Sequence, residues 1–329
     1  MARILILGGT AWLGRLIAAS FVAHGDDVTC LARGVSGAVP PRATLMPRDR
    51  REHGAYDEAA SAHWDAVIEL AYEPDLVAGA LEVLGPVTEH WTLVSSVSVY
   101  AKNDEPGADE TAAVIDPVDL TDYAHAKVAA EHTTAARVGA RLLIVRPGLI
   151  VGPGDDSDRF GYWVARFALA GSYPVLVPGR PGQAAQVIDA RDLAEWISDA
   201  AHARLTGTVN AVGDPVPLDE LLALAASVAQ SSAPHGAADD DWLVANGVNP
   251  WAGPRSLPLW LPEGYQGFAR RSGARYRAAG GRIRSLRSTL IDTLADERMR
   301  GLNRDRRAGL SRADELELIA LRFSPGDAG

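Results

Sequence analysis

The chain has 329 residues, 47% of them hydrophobic and 22% charged, which are the values of a soluble globular protein with room for one large α/β domain and a smaller lobe. Its net charge of −10 argues against nucleic acid as the main partner, and no apolar run approaches a membrane span. A single cysteine, Cys30, cannot form an internal disulfide, and Met1-Ala2-Arg3 leads into a strand rather than a secretion signal, so a reducing, cytoplasmic setting is expected.

Ile4 to Leu7 is a run of β-favouring apolar residues, broken by Gly8-Gly9 and followed from Trp12 by an Ala/Ile-rich stretch to His24. Strand, tight glycine turn and helix in that order aim the helix N–H groups, and the positive end of its dipole, at one point where phosphate is the usual occupant. The spacing Gly8, Ala11, Gly14 carries alanine where a middle glycine often sits. A second strand, Asp27 to Leu31, ends at Ala32-Arg33-Gly34. A carboxylate there would bond a ribose 2′-hydroxyl, whereas the planar fork of Arg33 suits a 2′-phosphate, with Arg15 able to help. The expectation is a dinucleotide site that favours NADP(H) and still admits NAD(H).

A third strand near Ala43 to Met46 leads to Arg48-Asp49-Arg50, and a fourth runs from Ala66 to Leu70. The helix expected over Pro74–Leu84 has proline in its first turn and Gly85-Pro86 after its end. A fifth strand, Trp91 to Val94, runs into Ser95-Ser96-Val97-Ser98-Val99-Tyr100. Strands alternating with helices predict a parallel sheet covered on both faces, with ligands at the carboxyl ends of the strands.

Asn103 to Pro117 reads as a loop, Thr121 to about Val138 as a helix before Gly139, and Leu142 to Val145 as a sixth strand ending in Arg146-Pro147-Gly148. Beyond it the alternation loosens, through a loop at Gly152-Pro153-Gly154-Asp155, a helix over Tyr162–Ala170 and a Pro/Gly-rich stretch from Ser172 to Gly182. Order returns with Gln186 to Asp192, a helix to about His202, a strand near Thr208 to Ala211 and a helix from Leu218 to Gln230. The remaining tail reads as a lobe built partly from loops, its Trp251 and Trp260 either lining a pocket or anchoring those loops. Arginines crowd Arg270–Arg287 and Arg298–Arg307 among acids such as Asp292, Asp296, Glu297 and Asp305, the pattern of a solvated helical surface. The 8 histidines show no metal-ligand spacing, so no metal site is expected. The expected architecture is a Rossmann-type, doubly wound parallel α/β sheet over 1–150, with 186–212 returning to it, and a substrate-binding lobe over 151–185 and 213–329.

Tyr123 and Lys127 stand four apart on a predicted helix, hence on one face. Chance predicts such a pair about 0.05 times in a chain with so few tyrosines and lysines. Of 32 basic residues, only Lys102 and Lys127 are lysine, so a compact ammonium is retained where the chain otherwise chooses arginine. A phenol ordinarily ionises near pH ~10, and a neighbouring ammonium favours the phenolate. Tyr123 can then donate a proton to a carbonyl oxygen as hydride reaches the carbon, or remove it in reverse, while Ser96 at the end of the fifth strand positions that oxygen. Without Tyr123 and Lys127, Ser95, Ser96 and Ser98 would read simply as a serine-rich strand end capping the next turn.

The glycine turn, Asp49 after strand three, Leu70-Ala71-Tyr72, SSVSVY, YAHAK, RPGLIVGP and VIDARDLA follow in order over roughly the first 210 residues. Together they resemble the extended short-chain dehydrogenase/reductases, the family also labelled NAD-dependent epimerase/dehydratase. The resemblance implies that Ser96, Tyr123 and Lys127 form a catalytic triad, that Asp49 meets the adenine and that Leu70 and Ala71 pass beside the cofactor. The full candidate cofactor-binding set is Gly8, Thr10, Trp12, Leu13 and Gly14 in the turn, Arg33, Asp49 and Arg50 after strands two and three, Leu70, Ala71 and Tyr72 after strand four, and Ser95, Tyr123, Lys127 and Pro147.

Departures from the family pattern are informative. Leu149 stands where sugar-nucleotide members usually carry Asn, Glu69-Leu70-Ala71-Tyr72 replaces His-Leu-Ala-Ala, and Val97-Ser98 replaces the Asp-Glu pair of the dehydratases. RPGLIVGP is closer to members acting on less polar hydroxyl or carbonyl compounds, and the Ala- and Arg-rich composition resembles that of actinobacterial reductases. The sequence therefore reads as an NADP(H)-favouring oxidoreductase acting on a small-molecule carbonyl or secondary alcohol. The alternatives are an NAD-dependent sugar-nucleotide epimerase and a non-catalytic cofactor-binding sensor or scaffold. A homodimer is a family-level expectation.

Overall fold

The computed structural model describes residues 1–323. The first compact unit comprises Met1–Ile150, Ile188–Gly213 and Arg271–Ile283, and the second Val151–Val187, Asp214–Arg270 and Arg284 onward. The segment 271–283, which the sequence reading placed in the substrate lobe, packs with the first unit. The reason is apolar: Tyr276 is fully buried in that unit's core, with Ile283 against it, and Trp196 Nε1 donates to the Ala279 carbonyl.

The first unit is built on β1 (Arg3–Leu7), α1 (Trp12–Ala23), β2 (Asp27–Ala32), β3 (Thr44–Pro47), α2 (Asp57–Ala60), β4 (Trp64–Glu69), α3 (Pro74–Leu84), β5 (Thr88–Val94), α4 (Tyr123–Val138) and β6 (Leu142–Pro147). After β7 (Leu149–Val151) and the elements of the second unit come α6 (Ala190–His202), β10 (Gly207–Ala211) and α9 (Ala274–Ala278); the intervening α5, β8 and β9 are given below. Seven strands form one sheet in the order β10-β6-β5-β4-β1-β2-β3, parallel throughout. This is a Rossmann-type order, and every strand delivers its carboxyl end to the same edge.

Alternation along β1 divides the core. Ile4 and Ile6 face α1 and α6, in a cluster with Ile17, Phe21 and Ile197; Leu5 and Leu7 face the other way, with Val77, Leu81 and Trp91. Each such buried aliphatic side chain contributes roughly 1.5–3 kcal/mol relative to exposure. The helices start where the side chains allow. Asp122 caps α4 by accepting from the Ala124 and His125 N–H groups, which is why the helix begins two residues later than Thr121, and Gly139 at φ +57° ends it. Asp189 caps α6 in the same way through Arg191 N–H.

The second unit contains α5 (Arg159–Ala170), β8 (Val175–Pro178), β9 (Ala184–Asp189, whose last two residues belong to the first unit), β11 (Pro215–Pro217), α7 (Leu218–Val228), β12 (His235–Ala238), α8 (Asp240–Ala245), β13 (Asn249–Trp251), β14 (Ser256–Pro258), α10 (Leu286–Arg300) and α11 (Arg312–Phe323). Strand β8 lies inside the Pro/Gly-rich stretch and pairs in parallel with β12, a partner sixty residues away that no local pattern announces. Trp260 is fully buried and its Nε1 donates to Asp240 Oδ1 at 2.9 Å, so it anchors the fold. Trp251 stands edge-on to Phe268 at 5.3 Å between ring centres.

The arginine-rich stretches divide: Arg275, Arg277, Arg282, Arg287, Arg298 and Arg307 are exposed, as a solvated surface requires, whereas Arg271, Arg300, Arg304 and Arg306 turn inward. Arg304 and Arg306 both engage Asp158 and Glu297, which are buried acids, and Arg300 joins them. Arg271 is also buried, its guanidinium donating to the Lys102 carbonyl and Asn103 Oδ1 in the first unit. Among the described residues no helix is long and apolar enough to cross a membrane.

Candidate active site

The glycine turn sits at the carboxyl end of β1. Gly8 adopts φ +109°, and a Cβ on Gly14 would stand 2.5 Å from the Gly8 carbonyl oxygen and 2.9 Å from Leu70 Cδ1, so only glycine lets α1 start this close to the strand. The start of α1 has no side-chain cap at Ala11 and no acid in its first turn. An uncapped, acid-free helix start beside a turn of small residues fits a dinucleotide pyrophosphate. Thr10 is buried in this turn, and Trp12 and Leu13 are half-buried.

Arg33 is exposed at the end of β2, its Nη1 4.0 Å from the Asp49 carboxylate at the end of β3. Arg15 reaches the same loop, because a Cβ on Gly37 would lie 2.7 Å from its Nη1. Two guanidiniums thus border the 33–37 loop. Arg50 stands differently from its neighbours in the candidate set. It makes a bidentate pair with Glu69, at 2.8 and 2.5 Å, and also donates to Tyr56 Oη and the Leu76 carbonyl. Its guanidinium is thereby committed to holding the end of β4, and Glu69 Oε1 in turn accepts from the Ala71 N–H, fixing the Leu70-Ala71 turn.

Tyr123 and Lys127 lie on the first turns of α4, at the carboxyl end of β5. Lys127 is buried, donates from Nζ to the Val94 carbonyl at 2.6 Å, and has its ammonium 5.9 Å from the centre of the Tyr123 ring. Tyr123 is 45% exposed, so a phenol open to a substrate stands beside a desolvated cation. Burial pushes the Lys127 ammonium down to about 8, against the opposing pull of Glu69, Glu73 and Glu131.

Two residues beyond Val94, the serines part company. Ser95 donates to Glu131 Oε1 at 2.5 Å, and Glu131 is held by Arg146 in a buried bidentate pair at 2.9 and 2.6 Å. Ser96 caps the short 97–99 turn, accepting from the Ser98 N–H at 3.1 Å and pairing with its hydroxyl. Of the two, only Ser96 keeps its hydroxyl clear of the buried ion pair. Pro147, at the end of β6, is buried against Ala211 of β10. Sequence reasoning missed Glu131 as a brace; its place four residues after Lys127, on the same helix face, was the available signal.

A parallel seven-stranded sheet, a glycine turn at the end of β1 and Ser96, Tyr123 and Lys127 at the β5 and α4 ends are the features in which the chain resembles the extended short-chain dehydrogenase/reductases. More particularly, residues 77–211 match the NAD dependent epimerase/dehydratase family. This is a family of enzymes that use nicotinamide cofactors. The fold is similar to that of a presumed epimerase from Burkholderia cenocepacia J2315, with TM-score 0.70 and 24% identity, covering 91% of this chain and 98% of the other. It is also similar to UDP-glucuronic acid 4-epimerase from Bacillus cereus in complex with NAD, with TM-score 0.66, 12% identity and coverage of 90% and 99%. In sequence it is 28% identical over 213 residues to the chloroplast stem-loop binding protein of 41 kDa b from Arabidopsis thaliana, a match over 58% of this chain that spans about half, 53%, of that protein.

Proposed function

We propose that the protein is an NADP(H)-favouring oxidoreductase that interconverts a carbonyl and a secondary alcohol on a small molecule. The observation that carries this reading is the exposed Tyr123 phenol beside the buried Lys127 ammonium, at the carboxyl ends of β4 and β5. With a nicotinamide cofactor held at the turn of Gly8 and Gly14, the chemistry supplied would be hydride transfer to or from the carbonyl carbon. In reduction Tyr123 gives its proton to the carbonyl oxygen and is reprotonated from solvent; in oxidation its phenolate takes the hydroxyl proton. Lys127 favours that phenolate electrostatically, and Ser96 hydrogen-bonds the substrate oxygen and fixes its distance from Tyr123. Arg33 and Arg15, bordering one loop, support the preference for a 2′-phosphate.

A second reading, sugar-nucleotide epimerisation by the same residues, draws on the named activities of solved structures with this fold, several of them NAD complexes. The two separate on one experiment. The nucleotide carried through purification is released and identified, and the emptied protein is titrated with NADPH and NADH by nicotinamide fluorescence. An empty site with clearly tighter NADPH supports the reductase. Retained NAD with no preference for NADPH overturns it and leaves the epimerase.

A further inference from the structure

Tyr72 follows β4 in the turn that also contains Leu70 and Ala71. Its ring centre lies 4.8 Å from Lys127 Nζ, closer than that of Tyr123, and stands edge-on to the Tyr123 ring at 5.1 Å and 79°. The Lys127 ammonium therefore has one carbonyl on one side, Val94 O, and two aromatic rings around it. Each aromatic face offers a buried cation an attraction that needs no hydrogen bond, and that attraction grows as water is excluded.

We propose that Tyr72 is a positioning residue for the Tyr123–Lys127 pair: its ring holds the lysine ammonium charged against the Val94 carbonyl and sets the Tyr123 ring by edge contact. The chain supports this from two directions. Glu69, immediately before this turn, is clamped by Arg50 and fixes the Ala71 N–H, so the turn that carries Tyr72 is anchored rather than loose. A desolvated ammonium tends to lose its proton, and the groups around this one are few. They are Tyr123 and Glu131 from its own helix, and Glu69, Tyr72 and Glu73 from β4 and the turn after it. Glu69 and Glu131 are each paired with an arginine, Arg50 and Arg146, which weakens their pull on Lys127 and leaves more of the task to the aromatic face.

The part this plays in a reaction rests on the function proposed above; the contact itself does not, and the test separates them. Only two lysines occur in the chain, so protein labelled with carbon-13 at the lysine ε position gives two side-chain ε-methylene signals, and Lys102→Arg assigns them. The full-length protein, emptied of nucleotide, is titrated by NMR alongside Tyr72→Phe, Tyr72→Leu and Tyr72→Met. The expected result is a Lys127 midpoint about half a unit to one unit lower in the Leu and Met variants and unchanged in the Phe variant, which keeps the ring. The alkaline limb of the reduction rate should shift by the same amount in the same variants. A midpoint that stays in place in both the Leu and Met variants, or that falls as far in Phe as in Leu, overturns the proposal. If the midpoint moves as expected but wild-type protein reduces no carbonyl compound, the clamp stands and the reading of the reaction falls.

Discussion

The two units of this chain bury charge in different ways. In the first, two buried acids beside the site each have a dedicated arginine: Glu69 with Arg50 and Glu131 with Arg146, both bidentate, both bracing a segment that ends at the site. In the second, charge is shared. Asp158 and Glu297 divide Arg300, Arg304 and Arg306 between them, and a Cβ on Gly161 would collide with the Glu297 carboxylate, so the helix leaves room for it. Dedicated pairs fix a backbone position; a shared network ties segments nearly 150 residues apart, such as Asp158 and Arg304, and tolerates the loss of one member better. Neither arrangement is by itself a source of net stability, since desolvation consumes most of the Coulombic gain.

The largest expected effect lies in the chemistry that the dedicated pairs frame. Tyr123→Phe should lower turnover by roughly 10²–10⁴-fold while nicotinamide fluorescence titration shows cofactor affinity nearly unchanged. Surviving turnover would remove Tyr123 from the mechanism. Next comes the contrast in buried charge. Glu131→Ala strands Arg146 and should cost about 3–5 kcal/mol in urea denaturation, whereas Glu297→Ala leaves Arg304 and Arg306 with Asp158 and should cost measurably less. Equal losses would erase the distinction between paired and shared charge.

A smaller effect comes from Lys127, which burial holds at about 8 against an ordinary value of 10.5. Between those two values the unfolded chain binds more protons than the folded one, so stability rises with pH there and is level below about pH 8. Relative to Lys127→Met, wild-type protein should gain on the order of 1 kcal/mol per pH unit in that window, read from urea midpoints; a flat difference would mean that Lys127 keeps its ordinary proton affinity. The smallest is Arg33→Ser, expected to reduce the NADPH-over-NADH affinity ratio about tenfold, as one charge-assisted contact implies. An unchanged ratio would assign the preference elsewhere.

The same contrast explains what could be read from sequence. In the first unit the signals are local: an apolar run before Gly8-Gly9 is a strand wherever it occurs, Pro74 and Gly85 bracket a helix, and Tyr123 and Lys127 share a face by spacing alone. Strand ends moved by one to three residues, as at Thr88, because pairing with β4 extends β5 beyond its apolar stretch. In the second unit the organising contacts are long-range. Nothing near Val175 signals pairing with His235, and an arginine that neutralises a buried Asp158 looks, in sequence, like one that faces water. The roles of Arg50 and Ser95 were hidden for the same reason, since each is decided by a carboxylate distant in the chain.

Cys30 lies on β2 directly beneath the glycine turn, fully buried, its thiol pushed up to about 12 by burial, and a Cβ on Gly9 would collide with its sulfur. Because it is the single cysteine in the chain, a thiol-trapping reagent has one target, and it can reach that target only when the packing over it, from Gly9 and the start of the fold's first helix, opens. The trapping rate is therefore a clock for opening of the dinucleotide cradle, and any nucleotide that seats there should slow it in proportion to its occupancy, whether or not a substrate is known.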